Sequence, residues 1–321
     1  MKLDVSADQH RLLSLCALRV GDATLDWSLL ARSAQSPEGL AALLDGQLRE
    51  DSRAATRNRP KLQQGLATGL DAARARVDEE LAAADRVGAR LVTVLDEDYP
   101  ANLRMIGNLP PFLYHLGELD RRDARSIAVV GTREASEEGT RRAARMAREL
   151  VEHDVVIASG LAKGIDAAAH QATLDAGGRT FAVMGTGIAA PLYPAENRPL
   201  AKAILTAGGA LLSQFWPTSP PARYTFPRRN VVTSGTTLGS VVIEASSTSG
   251  AKMQARLAAE HGKLVFLIRS LTDSQLWARK MIEEHRAILV TASSDITGRL
   301  AQAADIQRAG QQRQQLALVG L

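Results

Sequence analysis

Three glycine-bearing turns and one arginine pair are the places where this sequence could do chemistry. Gly131-Thr132-Arg133, Ser159-Gly160-Leu161-Ala162-Lys163-Gly164-Ile165-Asp166 and Gly185-Thr186-Gly187 each follow a short apolar run, and the first two carry a cation. Glycine lets a backbone approach a ligand closely, and N–H groups at the start of a following helix point at an anion. Arg133 offers a bidentate fork for phosphate and Lys163 a point charge. Further on, Arg228-Arg229-Asn230 follows Tyr224, Phe226 and Pro227, which sets charge for a nucleic-acid backbone beside rings for bases. Tight strand-to-helix turns use glycine even where nothing binds, and exposed arginine pairs are often only solvated. Each segment alone therefore has a structural account, but three such turns in one sheet favour a phosphate cradle.

Other chemistries find less support. Gly185-Thr186-Gly187-Ile188-Ala189-Ala190 fits the dinucleotide pattern G-x-G-x-x-G/A, yet Pro191 and Pro194 interrupt the helix that should open there. No acid sits ~20 residues on to take a ribose hydroxyl, and no G-x-x-x-x-G-K-[ST] segment exists for a P-loop. Ser159 with His170 is the one nucleophile–base pair that could be tried, but the G-x-S-x-G form is missing,. His170 is expected to be structural, bonded to a backbone carbonyl, and Asp166 is expected to support the same loop. His153, His170, His261 and His285 lack paired metal-ligand spacing, and the single cysteine, Cys16, allows neither a disulfide nor a thiolate metal site,. No metal and no cofactor are expected.

The elements that must position these residues form an α/β pattern. Apolar runs at 126–130, 155–159, 179–184, 210–215, 239–245, 263–268 and 287–291 read as strands, with helices between them. That alternation predicts an extended Rossmann-like, doubly wound, mostly parallel sheet. A helix over 137–152 has Ser136 as N-cap, with Arg141, Arg145 and Arg148 on a face away from its apolar stripe,. Residues 1–90 show helical spacing and no strand candidate, so an N-terminal helical region is expected. Within it, Arg49, Arg53, Arg57 and Arg59 read as a solvated helix that breaks at Pro60,. Residues 91–124 read as a connector with two short strands framed by prolines. The Rossmann-like core should cover 125–302, and 303–321 a polar tail at a fraying helix end, with no winged-helix domain.

Composition bounds the rest. The 321 residues, 45% hydrophobic and 23% charged, suffice for a full core and one appended region,. A net charge of +4 permits an anionic partner, while 4% aromatic content weighs against base stacking as the main mode of binding,. No apolar run reaches the ~18 residues of a membrane span, and the N-terminus has no signal-peptide core. A cytoplasmic protein without a membrane partner is the expectation.

Taken together these segments resemble the DNA-processing protein A family (DprA, also called Smf). The resemblance runs through Val129-Val130-Gly131-Thr132-Arg133, the Ser159-to-Asp166 loop with Ala169-His170, Tyr193-Pro194 and Asn197, Phe226-Pro227-Arg228-Arg229-Asn230, Glu244-Ala245 and Ser249-Gly250. It implies a non-enzymatic homodimer that binds single-stranded DNA, protects incoming strands and helps load a RecA-type recombinase during natural transformation. It also implies a basic pocket of Gly131, Thr132, Arg133, Lys163, Arg228, Arg229 and Asn230, with Ser159, Gly160, Gly164 and Gly185 in its walls and Asp166 and His170 behind them. Val231, Gln214 and the Arg269-Ser270-Leu271 segment depart from the family pattern. The last departure motivates an alternative, a nucleotide-sensing module working with a partner in immunity or a toxin–antitoxin pair. A second alternative is a nucleoside-phosphate hydrolase of the lysine-decarboxylase-like group, imitated by Ser234-Gly235-Thr236-Thr237 with Glu244.

Overall fold

The computed structural model describes residues 3–300 and residue 308. In chain order come α1 (Ala7–Ala17), β1 (Arg19–Val20), β2 (Ala23–Thr24), α2 (Trp27–Ser33), α3 (Pro37–Leu44), α4 (Arg53–Thr68), α5 (Leu70–Arg86), β3 (Arg90–Thr93) and β4 (Phe112–Gly117). The alternating part follows: β5 (Ser126–Val130), α6 (Glu137–Val151), β6 (Val156–Ser159), α7 (Ile165–Asp175), β7 (Thr180–Val183), α8 (Arg198–Thr206), β8 (Ala210–Ser213), α9 (Thr225–Thr236), β9 (Gly239–Val242), α10 (Gly250–Glu260), β10 (Leu264–Ile268), α11 (Arg269–Ser274), α12 (Leu276–Glu283), β11 (Ile288–Val290) and α13 (Ser294–Thr297).

Nine strands form one sheet in the order β11-β10-β9-β5-β6-β7-β8-β4-β3. From β5 the chain winds outward through β6, β7 and β8, then returns across β5 to build β9, β10 and β11 on the other side. The reversal falls between β5 and β9, which pair in parallel with Val129 opposite Val241. Every residue of β5, β6, β7, β8 and β9 is buried, as continuous apolar runs covered on both faces should be. The expected α/β, mostly parallel architecture with helices at its N-terminal end is what the chain adopts.

The two short strands between 91 and 124 are the antiparallel edge of this sheet. β4 pairs with β8, Tyr114 opposite Ser213, and β3 pairs with β4. Helices α1 to α5 pack over that edge and share its core, so that Leu12, Leu13, Leu29 and Leu62 belong to one buried cluster with Phe112, Leu113, Leu212 and Trp216. Trp27, Phe112 and Trp216 pack in a triangle, Trp27 lying 5.0 Å from Phe112 and 5.7 Å from Trp216, which are themselves 5.0 Å apart between ring centroids. The second cluster, on β5, β9 and β10 with α6, α7 and α10, closes the other end of the sheet.

Two details differ from the sequence expectation. The first 90 residues do contain a strand pair, a hairpin in which Val20 faces Ala23 across Gly21-Asp22; two-residue strands are too short to display a period. Helix α4 does not break at Pro60 but runs to Thr68. Proline removes one helix bond and crowds the preceding turn, but Pro60 and Thr56 lie on the exposed face, where water can take the orphaned carbonyl. Ala55, Asn58, Leu62 and Gly65 of the same helix are buried, and this packing outweighs the local cost,. The expected polar tail at 303–321 lies outside the described residues, apart from residue 308.

The helical region is tied to the sheet by a polar contact as well. Glu80 of α5, 7% exposed, accepts hydrogen bonds from Thr218 N at 2.9 Å and Thr218 Oγ1 at 2.8 Å, 138 residues away. Thr218 itself is exposed, so in Glu80→Ala water can take up part of the freed donors, and a loss of about 1 kcal/mol is expected. A urea titration reads it as a lower midpoint with an unchanged slope.

Candidate nucleic-acid interface

At the carboxyl end of the sheet the loops after β5 and β6 close on each other. Ile165 N donates to Thr132 O at 3.3 Å. Gly164 has φ +71°, a conformation that favours glycine, and a Cβ there would press on the Thr132 and Arg133 carbonyls,. A Cβ on Gly131 would collide with Ile165. These glycines are therefore required by the approach of one loop to the other.

Several of the amides expected to cradle a phosphate have partners within the chain. Asp166, 4% exposed, accepts from Gly160 N at 3.1 Å and Ala162 N at 3.4 Å. Thr132 N donates to Glu244 O at 2.7 Å, while the Glu244 carboxylate meets the start of α6 through Ser136 N and Ser136 Oγ. In the third turn Gly187 N donates to Ser219 O and Ala189 N to Pro217 O, at 2.8 and 2.9 Å. These amides are held within the chain, and Gly131 and Gly164 are also where one backbone packs closely on its neighbour.

Beneath the loops lies a buried charged cluster. Arg229 is 7% exposed, its Nη1 donates to Val183 O at 3.1 Å, and its guanidinium covers Gly160 so closely that a Cβ there would overlap it. Burial pushes the Asp166 carboxyl up, with Arg229 pulling it back, and burial likewise lowers the Arg229 guanidinium against the opposing pull of Asp166. His170 is fully buried, with Nδ1 2.7 Å from Thr180 Oγ1. That hydroxyl donates to Ile157 O at 2.7 Å, which assigns the ring proton to Nδ1. The histidine is structural, but its partner is a threonine hydroxyl in place of the expected backbone carbonyl. Ser159 is fully buried and its Oγ donates to Val129 O at 2.7 Å, away from His170.

Ser159, Gly160, Gly185 and Arg229, expected in the walls of the pocket, are all buried. Gly185 lies under the Phe226 ring. Gly131, Thr132, Gly164 and Asn230 are half-buried, and Asn230 reaches the carbonyl of Gly250 at 3.4 Å. The Ser234-Gly235-Thr236-Thr237 segment precedes β9 and Glu244 follows it, so the hydrolase pattern is split between opposite ends of one strand.

What faces outward is a rim of cations on rings. Arg133 sits 4.9 Å from the centroid of Phe226, and Phe226 packs on Tyr193 at 5.7 Å with planes tilted by 55°. Arg228 sits 5.6 Å over Tyr224. Tyr193 and Tyr224 are 47% and 64% exposed, so their faces are open to a stacking partner. Lys163 Nζ pairs with Glu196 at 2.7 Å, both side chains about half exposed, a bridge that solvent screens and a phosphate could displace at little cost. Tyr193 is held here because Asn197 Nδ2 donates to Leu161 O at 2.9 Å, which ties its loop to the one after β6. The sequence reading did not count Tyr193 as a site residue; the available signal was that it is one of only four tyrosines and stands among the family-like motifs.

Among the described residues no helix is long and apolar enough to cross a membrane, and no three His, Cys, Asp or Glu side chains gather as metal ligands. The arginines of α4 form a solvated face, with Arg59 bonded to Leu48 O and Arg57 to a carbonyl of its own helix.

Known proteins share this fold. A family profile described as DNA recombination-mediator protein A matches residues 90–301. Protein Smf of Synechocystis is 40% identical over 190 residues, 58% of this chain and 47% of that protein, so the match spans about half the relative's length. The DNA processing protein DprA of Streptococcus pneumoniae is 37% identical over 205 residues, 64% of this chain and 72% of that protein. A solved structure of DprA from that species superposes with a TM-score of 0.72 at 29% identity, covering 94% of this chain and all of that one. A structure of DNA processing protein A from Helicobacter pylori, described for its single-stranded DNA binding mode, has a TM-score of 0.57 at 23% identity over 65% of this chain and 94% of that one, which shows a common fold.

The buried histidine sets a pH dependence of stability. Burial, reinforced by Arg229, holds His170 down from 6.5 to about 3. The unfolded chain therefore takes up a proton near pH 6.5 that the folded chain refuses until about pH 3. Stability from this group is complete above pH 6.5 and is lost as the pH falls through that window, at about 1.4 kcal/mol per pH unit. Asp166, raised by burial, acts in the opposite direction as carboxylates titrate. His170→Asn, whose amide can still donate to Thr180, is expected to flatten the decline between pH 6.5 and 5 in urea titrations.

Proposed function

The chain belongs to the DNA recombination-mediator protein A family, that of the DNA processing proteins DprA and Smf, and from that premise we propose that it binds single-stranded DNA along the Arg133–Arg228 rim. The observation that carries this reading is the pairing of each exposed arginine with a ring, Arg133 on Phe226 and Arg228 on Tyr224. A guanidinium can leave the ring edge for a phosphate while the ring stacks on a base, and neither step needs the backbone to move. Bound strands are shielded by occupancy, and the protein passes them to a RecA-type recombinase in the cytoplasm, acting as a homodimer and without catalysis. The Helicobacter pylori structure, described for single-stranded DNA binding, supports the choice of ligand. A small-nucleotide sensor has less support, because several of the loop amides that would grip one phosphate, those of Thr132, Gly160 and Gly187 among them, already have partners.

Fluorescence anisotropy with a labelled oligo-dT tests this. Affinity should fall with salt by ~0.7 in log–log slope per phosphate contact, so Arg133→Ala and Arg228→Ala should each weaken binding and reduce the slope by about that much. Tyr224→Ala should cost roughly 1–3 kcal/mol of binding with the slope unchanged, because it removes stacking. No binding by the native chain at ~50 mM salt, where phosphate contacts are strong, would sink the proposal.

A further inference from the structure

An open α/β sheet has one place where a small anion is ordinarily held, outside the carboxyl ends of the strands at the point of reversal and against the start of the next helix. Here that place lies between β5 and β9, under the first turn of α6. The chain fills it with its own charge. Glu244 stands two residues beyond β9, and its carboxylate accepts from Ser136 N at 3.2 and 3.4 Å and from Ser136 Oγ at 2.9 Å. The Ser136 hydroxyl in turn accepts from Gly139 N at 2.9 Å, so helix amide, hydroxyl and carboxylate form one chain of bonds. The carboxylate lies so near the helix that a Cβ on Gly139 would overlap Oε2. The backbone closes the same gap, Glu244 O accepting from Thr132 N at 2.7 Å. Unlike Asp166, which plugs the neighbouring loop and is buried, Glu244 is only half-buried, so an anion from solvent can reach its surroundings and must compete with it.

We propose that Glu244 is a specificity-determining residue, whose carboxylate occupies the switch-point anion position and turns away the phosphate of a free nucleotide, leaving the outer rim for a polymer strand. A phosphate cannot share these donors with a carboxylate, because the two anions repel at hydrogen-bonding range in a partly dry site. A strand escapes the restriction because it offers many phosphates and bases, so modest contacts at Arg133, Arg228 and the tyrosines add up along one chain. A lone nucleotide has one phosphate to place, and its strongest position is taken. The inference rests on the single-strand reading above and names what the site excludes.

The test is calorimetry of the full chain with AMP and with inorganic phosphate, beside anisotropy with oligo-dT. The native chain is expected to give no saturable heat with either small anion. Glu244→Ala is expected to bind both with a dissociation constant tighter than about 1 mM, and the binding should weaken with salt. Should that variant melt early, Glu244→Gln keeps an acceptor for Ser136 N and removes the charge, and its oligo-dT affinity should stay level or rise by a few fold. AMP binding by the native chain, no AMP or phosphate binding by folded Glu244→Ala, or a tenfold loss of oligo-dT affinity in Glu244→Gln would each overturn the proposal. Failure of the native chain to bind oligo-dT would instead remove the single-strand reading, while the AMP results would still report on Glu244.

Discussion

The interface depends on one buried contact, the Arg229 guanidinium lying against Gly160 with Asp166 as its countercharge. An arginine cannot be neutralised by losing its proton, so once inside it must be matched by charge and by acceptors. Val183 O accepts from Nη1 and Asp166 supplies the countercharge, which brings together α9, the end of β7 and the loop after β6, while Nε has no partner among the described residues. Asp166 can stand there because Gly160 N and Ala162 N turn toward it. The same bonds set the course of the loop that carries Lys163 and opens α7. Successive residues on a helix point about 100° apart, so fixing Arg229 inward sends Arg228 outward over Tyr224.

This arrangement changes what the end of the sheet can recognise. In many α/β proteins the strand-to-helix turns present free amides to a phosphate, and recognition is by backbone. Here Asp166, Glu244 and the 216–219 loop take the corresponding amides. The helix dipoles of α6 and α7 still have negative charge at their N-termini, but it is the protein's own. In the single-strand reading proposed above, recognition falls to side chains on the rim, which are longer, exposed and able to adjust.

The fold was largely legible because strands buried on both faces must be continuous apolar runs, and β5 and β9 are read from sequence to within a few residues. The antiparallel edge was not, since Tyr114 meets Ser213 across almost a hundred residues and nothing local in 112–117 announces that partner. Pro60 misled for the opposite reason: local propensity pointed to a break that the packing of Leu62 and Gly65 overrode. At the site the glycines were visible but their reason was not. A glycine that admits a ligand and one that admits Ile165 look alike in sequence, as at Gly131. Nor could Arg228 be told from Arg229, since adjacency hides which of two arginines carries a buried charge. Tyr193 meets Phe226 directly, its loop tied to the one after β6 by the Asn197–Leu161 bond, tertiary contacts with no local signature.

A rim of this kind also constrains specificity for sequence. Guanidinium and ammonium groups meet phosphates, which are the same at every step, and the face of a tyrosine stacks on any base. Arg133 and Arg228 rest on rings in the free protein at 4.9 and 5.6 Å, so each side chain is already partly desolvated and ordered. That ordering lowers the entropy still to be lost when a strand arrives. Because the charged cluster lies beneath and the exposed pairs lie above, the proposed binding of a strand would call for side-chain motion alone, without disturbing the buried Arg229 on which the loops depend.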